Sequence, residues 1–147
     1  MIKMAHDFKR YPELTNNQMN LYYFQSPHKQ ITEDFDAKVV KVHDGDTIRV
    51  SVGWRDFDFP LRISNIMAAE LNEEGGMRSR NHLRDLIENR IVEIVLDKNR
   101  VEKWGRLLGQ INHKGFDIGE QMISDGFAVG VWKEQLGIKP LMIMDVI

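Results

Sequence analysis

Ala37-Lys38-Val39-Val40-Lys41-Val42-His43-Asp44-Gly45-Asp46-Thr47-Ile48-Arg49-Val50 reads as two strands joined by an acidic turn. Val40, Val42, Ile48, Val50 and then Val52 are apolar at every second position, the period of strands with one face buried. Asp-Gly between two such runs predicts a hairpin, because glycine takes a positive φ without steric penalty. Two carboxylates flanking one glycine exceed what a turn needs. They repel each other, so either the sheet absorbs that cost or a cation offsets it. Taken alone, Asp44-Gly45-Asp46 fits a solvated hairpin tip better than a metal site.

Working outward, Gly53-Trp54-Arg55-Asp56 makes the next turn, and Phe57, Phe59, Leu61 and Ile63 alternate as a third strand. Pro60 lacks an N–H and belongs at an edge or bulge of that strand. Leu71, Leu83, Leu86 and Ile87 lie among charges from about Glu70 to Asn89, predicting an amphipathic helix interrupted or delayed at Gly75-Gly76. Ile91 to Leu96 reads as a fourth strand and Gly105 to His113 as a fifth, turning at Lys114-Gly115. A short helix over Ile118–Ser124 closes at Gly126. The fold class is therefore mainly β with α (α+β), five strands with a helix between the third and fourth, the order of a small closed barrel.

Residues 1–35 precede this pattern and form an N-terminal extension, with the barrel domain spanning 36–147. The extension carries all three tyrosines, Tyr11, Tyr22 and Tyr23, and is too aromatic for a floppy tail. Thr15-Asn16-Asn17-Gln18 reads as a helix start, with Ser26-Pro27 ending the helix. Packing on the barrel and a partly ordered arm both suit it. The apolar run Leu141–Ile147 fits a strand or arm packed on its own domain better than a subunit contact.

At 147 residues, 42% hydrophobic and 29% charged, the chain suits one soluble domain with a real core. With no cysteine, disulfides, thiolate metal sites and cysteine nucleophiles are excluded together. No apolar run approaches a membrane span. Met1 to Asp7 lacks the basic-then-apolar layout of a secretory signal, so a cytoplasmic protein is expected, with a mature secreted form left open. A net charge of −2 argues against a non-specific nucleic-acid coat. It leaves room for a few Arg and Lys focused in one cleft.

The order Asp44-Gly45-Asp46-Thr47, then Arg62, then Glu70 eight residues on, then Lys103-Trp104-Gly105-Arg106 resembles the staphylococcal nuclease (thermonuclease) family, over about Phe35 to Gly130. The resemblance implies an OB-fold barrel and a calcium-dependent phosphodiesterase acting on DNA or RNA. Within it, Asp46 matches the first calcium carboxylate, Asp44 a supporting acid and the Ala68 carbonyl a backbone ligand. Arg62 and Arg106 match two catalytic arginines, whose planar forks grip phosphate in a way that Lys cannot. Glu70 matches the glutamate that activates or orients water; a helix N-terminal acid is its bland alternative. Lys103 and Trp104 match nucleotide-binding positions, where Trp104 stacks on a base or simply covers the barrel. Thr47 steadies the turn. His43 suits an ordinary strand histidine, and Trp54 and Trp132 suit packing.

The pattern breaks at Met67, which stands where the second calcium carboxylate belongs, and at Ala69, which replaces a proline. A thioether is a poor ligand for a hard cation such as calcium, magnesium or manganese. Asn65, two residues earlier and on the same side of an extended strand, could supply an amide oxygen instead. Two functions therefore stay open. The first is a metal-dependent nuclease with weakened calcium binding. The second is an impaired OB-fold module that binds single-stranded nucleic acid or a protein partner.

Overall fold

The acidic hairpin forms where the sequence places it. In a computed structural model, which describes residues 6–102 and 105–131, β1 (Phe35–Asp44) pairs antiparallel with β2 (Thr47–Ser51), and β2 with β3 (Phe59–Ile63). A two-residue strand, β4 (Ile66–Met67), follows, then α2 (Gly76–Ile87), β5 (Ile91–Val101) and β6 (Leu107–His113). β7 (Phe116–Asp117), α3 (Ile118–Ser124) and β8 (Val129–Gly130) complete the described chain after an N-terminal α1 (Asn16–Tyr22).

The strands run β3-β2-β1-β5-β6, and β6 returns to pair with β3 in parallel, closing a five-stranded barrel. Closure removes the free edges that an open sheet would leave. The interior is filled by alternate residues, among them Val39, Val42, Ile48, Val50, Phe59, Leu61, Ile94, Leu107 and Ile111, with Leu83 and Ile87 of α2 beneath. Pro60 lies beyond the end of the β3–β6 pairing, which begins at Leu61, so its missing N–H costs no bond there.

Two details depart from the reading of the sequence, and a third settles one of its alternatives. β4 pairs with β8 in a separate two-stranded sheet, so the helix lies between the fourth and fifth strands in chain order. α2 starts at Gly76, the delayed one of the two alternatives, because Gly75 at φ 83 sets the cap and the chain before it is turn. In β1, Val39 rather than Val40 enters the core. The register shifts at Val40 and again at His43, two β-bulges that rotate the strand before it reaches Asp44. Alternation alone does not reveal the first bulge, since Val39 and Val40 are both apolar and either could face the core.

The N-terminal segment is fastened to the barrel through buried charge. Glu13 bonds Arg55 at 2.6 Å and Arg100 at 3.5 Å, and all three are nearly inaccessible. Arg100 also donates to the carbonyls of Leu14 and Ile31, and Arg55 to that of Lys29. Thr15 caps α1 in a reciprocal box with Gln18. α1 itself buries none of its residues. Trp132 and the apolar run 141–147 lie outside the described residues.

Candidate active site

The turn between β1 and β2 forms one wall of a cleft of about 790 Å³. Asp44, Asp46, Thr47, Arg62, Ala68, Glu70 and Arg106 all line it, as does Met67. Residues far apart in sequence thus meet because β2 and β3 are adjacent and β6 closes against β3. Thr47 is paired directly with Arg62 across the ladder.

Gly45 is required here for space. Its φ is not positive, contrary to the reason its place in the turn suggests. A Cβ built on it would lie 2.6 Å from the Ala68 Cβ and 2.9 Å from that of Ser79. The turn therefore nests against the loop after β4 and against α2. Gly76 plays the same part for Glu70, since a Cβ there would stand 1.8 Å from the Glu70 carbonyl oxygen.

Asp46 is the electrostatic centre. Only 8% of it is exposed. Its Oδ2 accepts from the Ala68 N–H at 2.9 Å and lies 3.5 Å from Arg62 Nη2, while Oδ1 accepts from the Thr47 hydroxyl at 3.2 Å. Burial pushes its carboxyl up to about 6, Arg62 opposes that, and the neighbouring Asp44 adds to it. Asp44 in turn accepts from the Asp46 N–H at 3.1 Å, closing the turn.

Both arginines are oriented by the protein. Arg62 donates to the carbonyls of Ile63 and, at 2.8 Å, of Ile66. Arg106 holds Glu102 with two parallel donors and donates to Thr47 Oγ1 at 3.1 Å. That bond to Glu102 is the main reason its guanidinium is more basic than usual. Sequence reasoning assigned Glu102 no role; it meets Arg106 between the end of β5 and the start of β6, where its N–H also donates to the Arg106 carbonyl at 2.9 Å. Glu70 is exposed at the rim, its N–H donating to Glu73 Oε1 at 2.7 Å. It precedes α2 by a full turn of loop, so the helix N-terminal explanation does not apply to it.

Asn65 stands apart from these residues. Its amide N–H donates to Asp117 at 3.2 Å, it packs on Gly119, and it is not among the residues that line the cleft. Lys103 and Trp104 lie outside the described residues. Glu73, Glu74 and Ser79 line the cleft unforeseen; Ser79 donates to the Phe127 carbonyl at 2.9 Å and so pins the opposite wall.

Among the described residues no three His, Asp or Glu side chains converge as a ready-made metal cage. The donors suit a different kind of occupant. Five carboxylates (Asp44, Asp46, Glu70, Glu73 and Glu74) face two guanidiniums in the cleft. Asp46 and Asp44 offer hard oxygens from adjoining positions, which fits a divalent cation that keeps most of its water. Met67 contributes none.

No family model matches the chain. It is similar to a micrococcal nuclease of Shigella flexneri, with 35% identity over 78 residues. The match covers 53% of this chain and 42% of that protein, less than half its length. In sequence and in the closed five-stranded barrel alike, the chain resembles the staphylococcal nuclease family.

Proposed function

We propose that the chain is a divalent-cation-dependent phosphodiesterase that hydrolyses DNA or RNA. One observation carries the reading: Asp44, Asp46, Arg62, Glu70 and Arg106 line a single cleft. The chemistry needs each type. Arg62 and Arg106, already fixed in direction, present planar donors to the non-bridging oxygens of a phosphodiester, where negative charge grows in the transition state. Glu70, exposed at the rim, takes a proton from water as its oxygen bonds to phosphorus. The phosphorus–oxygen bond to the leaving group then breaks, and that oxygen is protonated from solvent.

Asp46 and Asp44 would hold the cation, with the Ala68 carbonyl as a further ligand by resemblance. When bound, the cation offsets charge on the phosphoryl oxygens. Calcium, magnesium and manganese are all hard enough for these donors. Charge that grows on a phosphate beside more carboxylates than guanidiniums needs such neutralisation, which supports a strict cation requirement for cleavage. Incubation of the purified protein with single-stranded DNA and RNA under each metal, with a chelator control, tests the proposal.

Met67 favours a second reading, in which the cleft binds nucleic acid without cleaving it. The same incubation separates the two, because binding without product in every metal supports the module.

A further inference from the structure

A second groove opens beside the cleft, on the outer face of β1, β2 and β3. It encloses about 250 Å³ and is lined by Lys41, His43, Thr47, Arg49, Pro60 and Arg106. Thr47 and Arg106 line the cleft too, so the two depressions adjoin at these residues. Their chemistry is opposite: the cleft is rich in carboxylates, whereas the groove is lined by basic side chains.

Lys41 and Arg49 are direct partners across the β1–β2 ladder. Like charges facing each other in an antiparallel pair are destabilising. Asp58 relieves part of this, accepting from Arg49 Nε at 2.7 Å while its carbonyl accepts from Nη2 at 3.0 Å. Arg49 Nη1 has no hydrogen-bond partner among the described residues. Neither Lys41 nor His43 has an ion-pair partner among the described residues. Phosphates seated against Lys41 and Arg49 would offset the repulsion. Arg49 lies two residues along β2 from Thr47, a step of about 7 Å, comparable to the separation of consecutive phosphates in an extended strand.

We propose that this groove holds the phosphodiester backbone of the substrate strand on one side of the scissile bond, with Lys41 and Arg49 each meeting one phosphate. The proposal rests on the nuclease reading and gives it a direction. The strand runs from the cleft past Thr47 and Arg106 onto the outer face of the hairpin.

The test compares the native protein with the double variant Lys41→Gln/Arg49→Gln. Binding of a labelled single-stranded oligonucleotide is titrated in chelator at several salt concentrations. Hydrolysis of a dinucleotide, too short to fill the groove, is measured alongside with metal present. The variant should lose about 1.4 from the slope of log affinity against log salt, at about 0.7 per phosphate contact. Its dinucleotide hydrolysis should be unchanged. Because both side chains are on the surface, the variant should fold, and removing the facing charges should leave its Tm equal or higher. An unchanged slope, or no oligonucleotide binding by the native protein, overturns the groove. A slope lost in the variant while the native protein cleaves nothing overturns the nuclease reading and leaves the groove standing.

Discussion

The Asp46 carboxylate accepts a hydrogen bond from the Ala68 amide at 2.9 Å, joining the β1–β2 turn to the loop that follows β4. This bond, with Gly45 nested on Ala68, fixes the Asp46 carboxylate beside Arg62 and sets Met67 on the same cleft wall. A charge is thereby held out of water at a cost to the fold.

That cost is measurable. The folded Asp46 carboxyl titrates near 6 against an ordinary value of 3.8, so the metal-free fold is favoured when Asp46 is protonated. Its contribution is fully present below pH 3.8 and is lost as pH rises through 6. Asp46→Asn should therefore stabilise the metal-free protein at neutral pH, by on the order of 2–3 kcal/mol. The gain should vanish at low pH. Urea unfolding of both proteins from acid to neutral pH in chelator checks this, and the variant should gain nothing from added cation.

Arg106→Lys keeps the charge and loses the fork. It should lower turnover about a hundredfold, roughly 3 kcal/mol, with a smaller change in substrate binding. Unchanged turnover would assign Arg106 to its ion pair with Glu102 alone.

Glu102 aligns Arg106 and also competes with the incoming phosphate for it. Glu102→Gln should tighten oligonucleotide binding while slowing turnover, a split in opposite directions. If both fall together, Glu102 serves the fold alone.

Met67→Asp adds a hard ligand to the cleft wall that carries Asp46. It should raise calcium affinity in a calorimetric titration. Asn65→Ala should leave that affinity unchanged, because Asn65 bonds Asp117 outside the cleft, and should lower stability by about 1 kcal/mol. A loss of cation binding in Asn65→Ala would bring Asn65 back to the metal site.

The strands were legible wherever burial on one face enforces a period of two, as from Ile48 to Val50 and from Phe59 to Ile63. The bulges at Val40 and His43 were not, since register there depends on a partner strand that the local pattern does not contain. Asp44, Asp46, Arg62, Glu70 and Arg106 were found by motif, and they do line one cleft. The reason for Gly45 was misread, because a close approach by Ala68 and Ser79 is a long-range fact. Long range also hid the Glu13–Arg55–Arg100 cluster, whose members are separated by most of the barrel in sequence. The position of Asn65 was not legible, because the chain turns between β3 and β4 and extended alternation from Met67 does not reach it.

The central claim is that this cleft cleaves phosphodiesters with the help of a divalent cation. Its most direct test is product formation from single-stranded DNA and RNA in magnesium, manganese and calcium, run beside Asp46→Asn and a chelator control. Cleavage by the native protein that chelator and Asp46→Asn both abolish is the predicted result. No product under any of the three metals, or cleavage that survives in chelator, would contradict it.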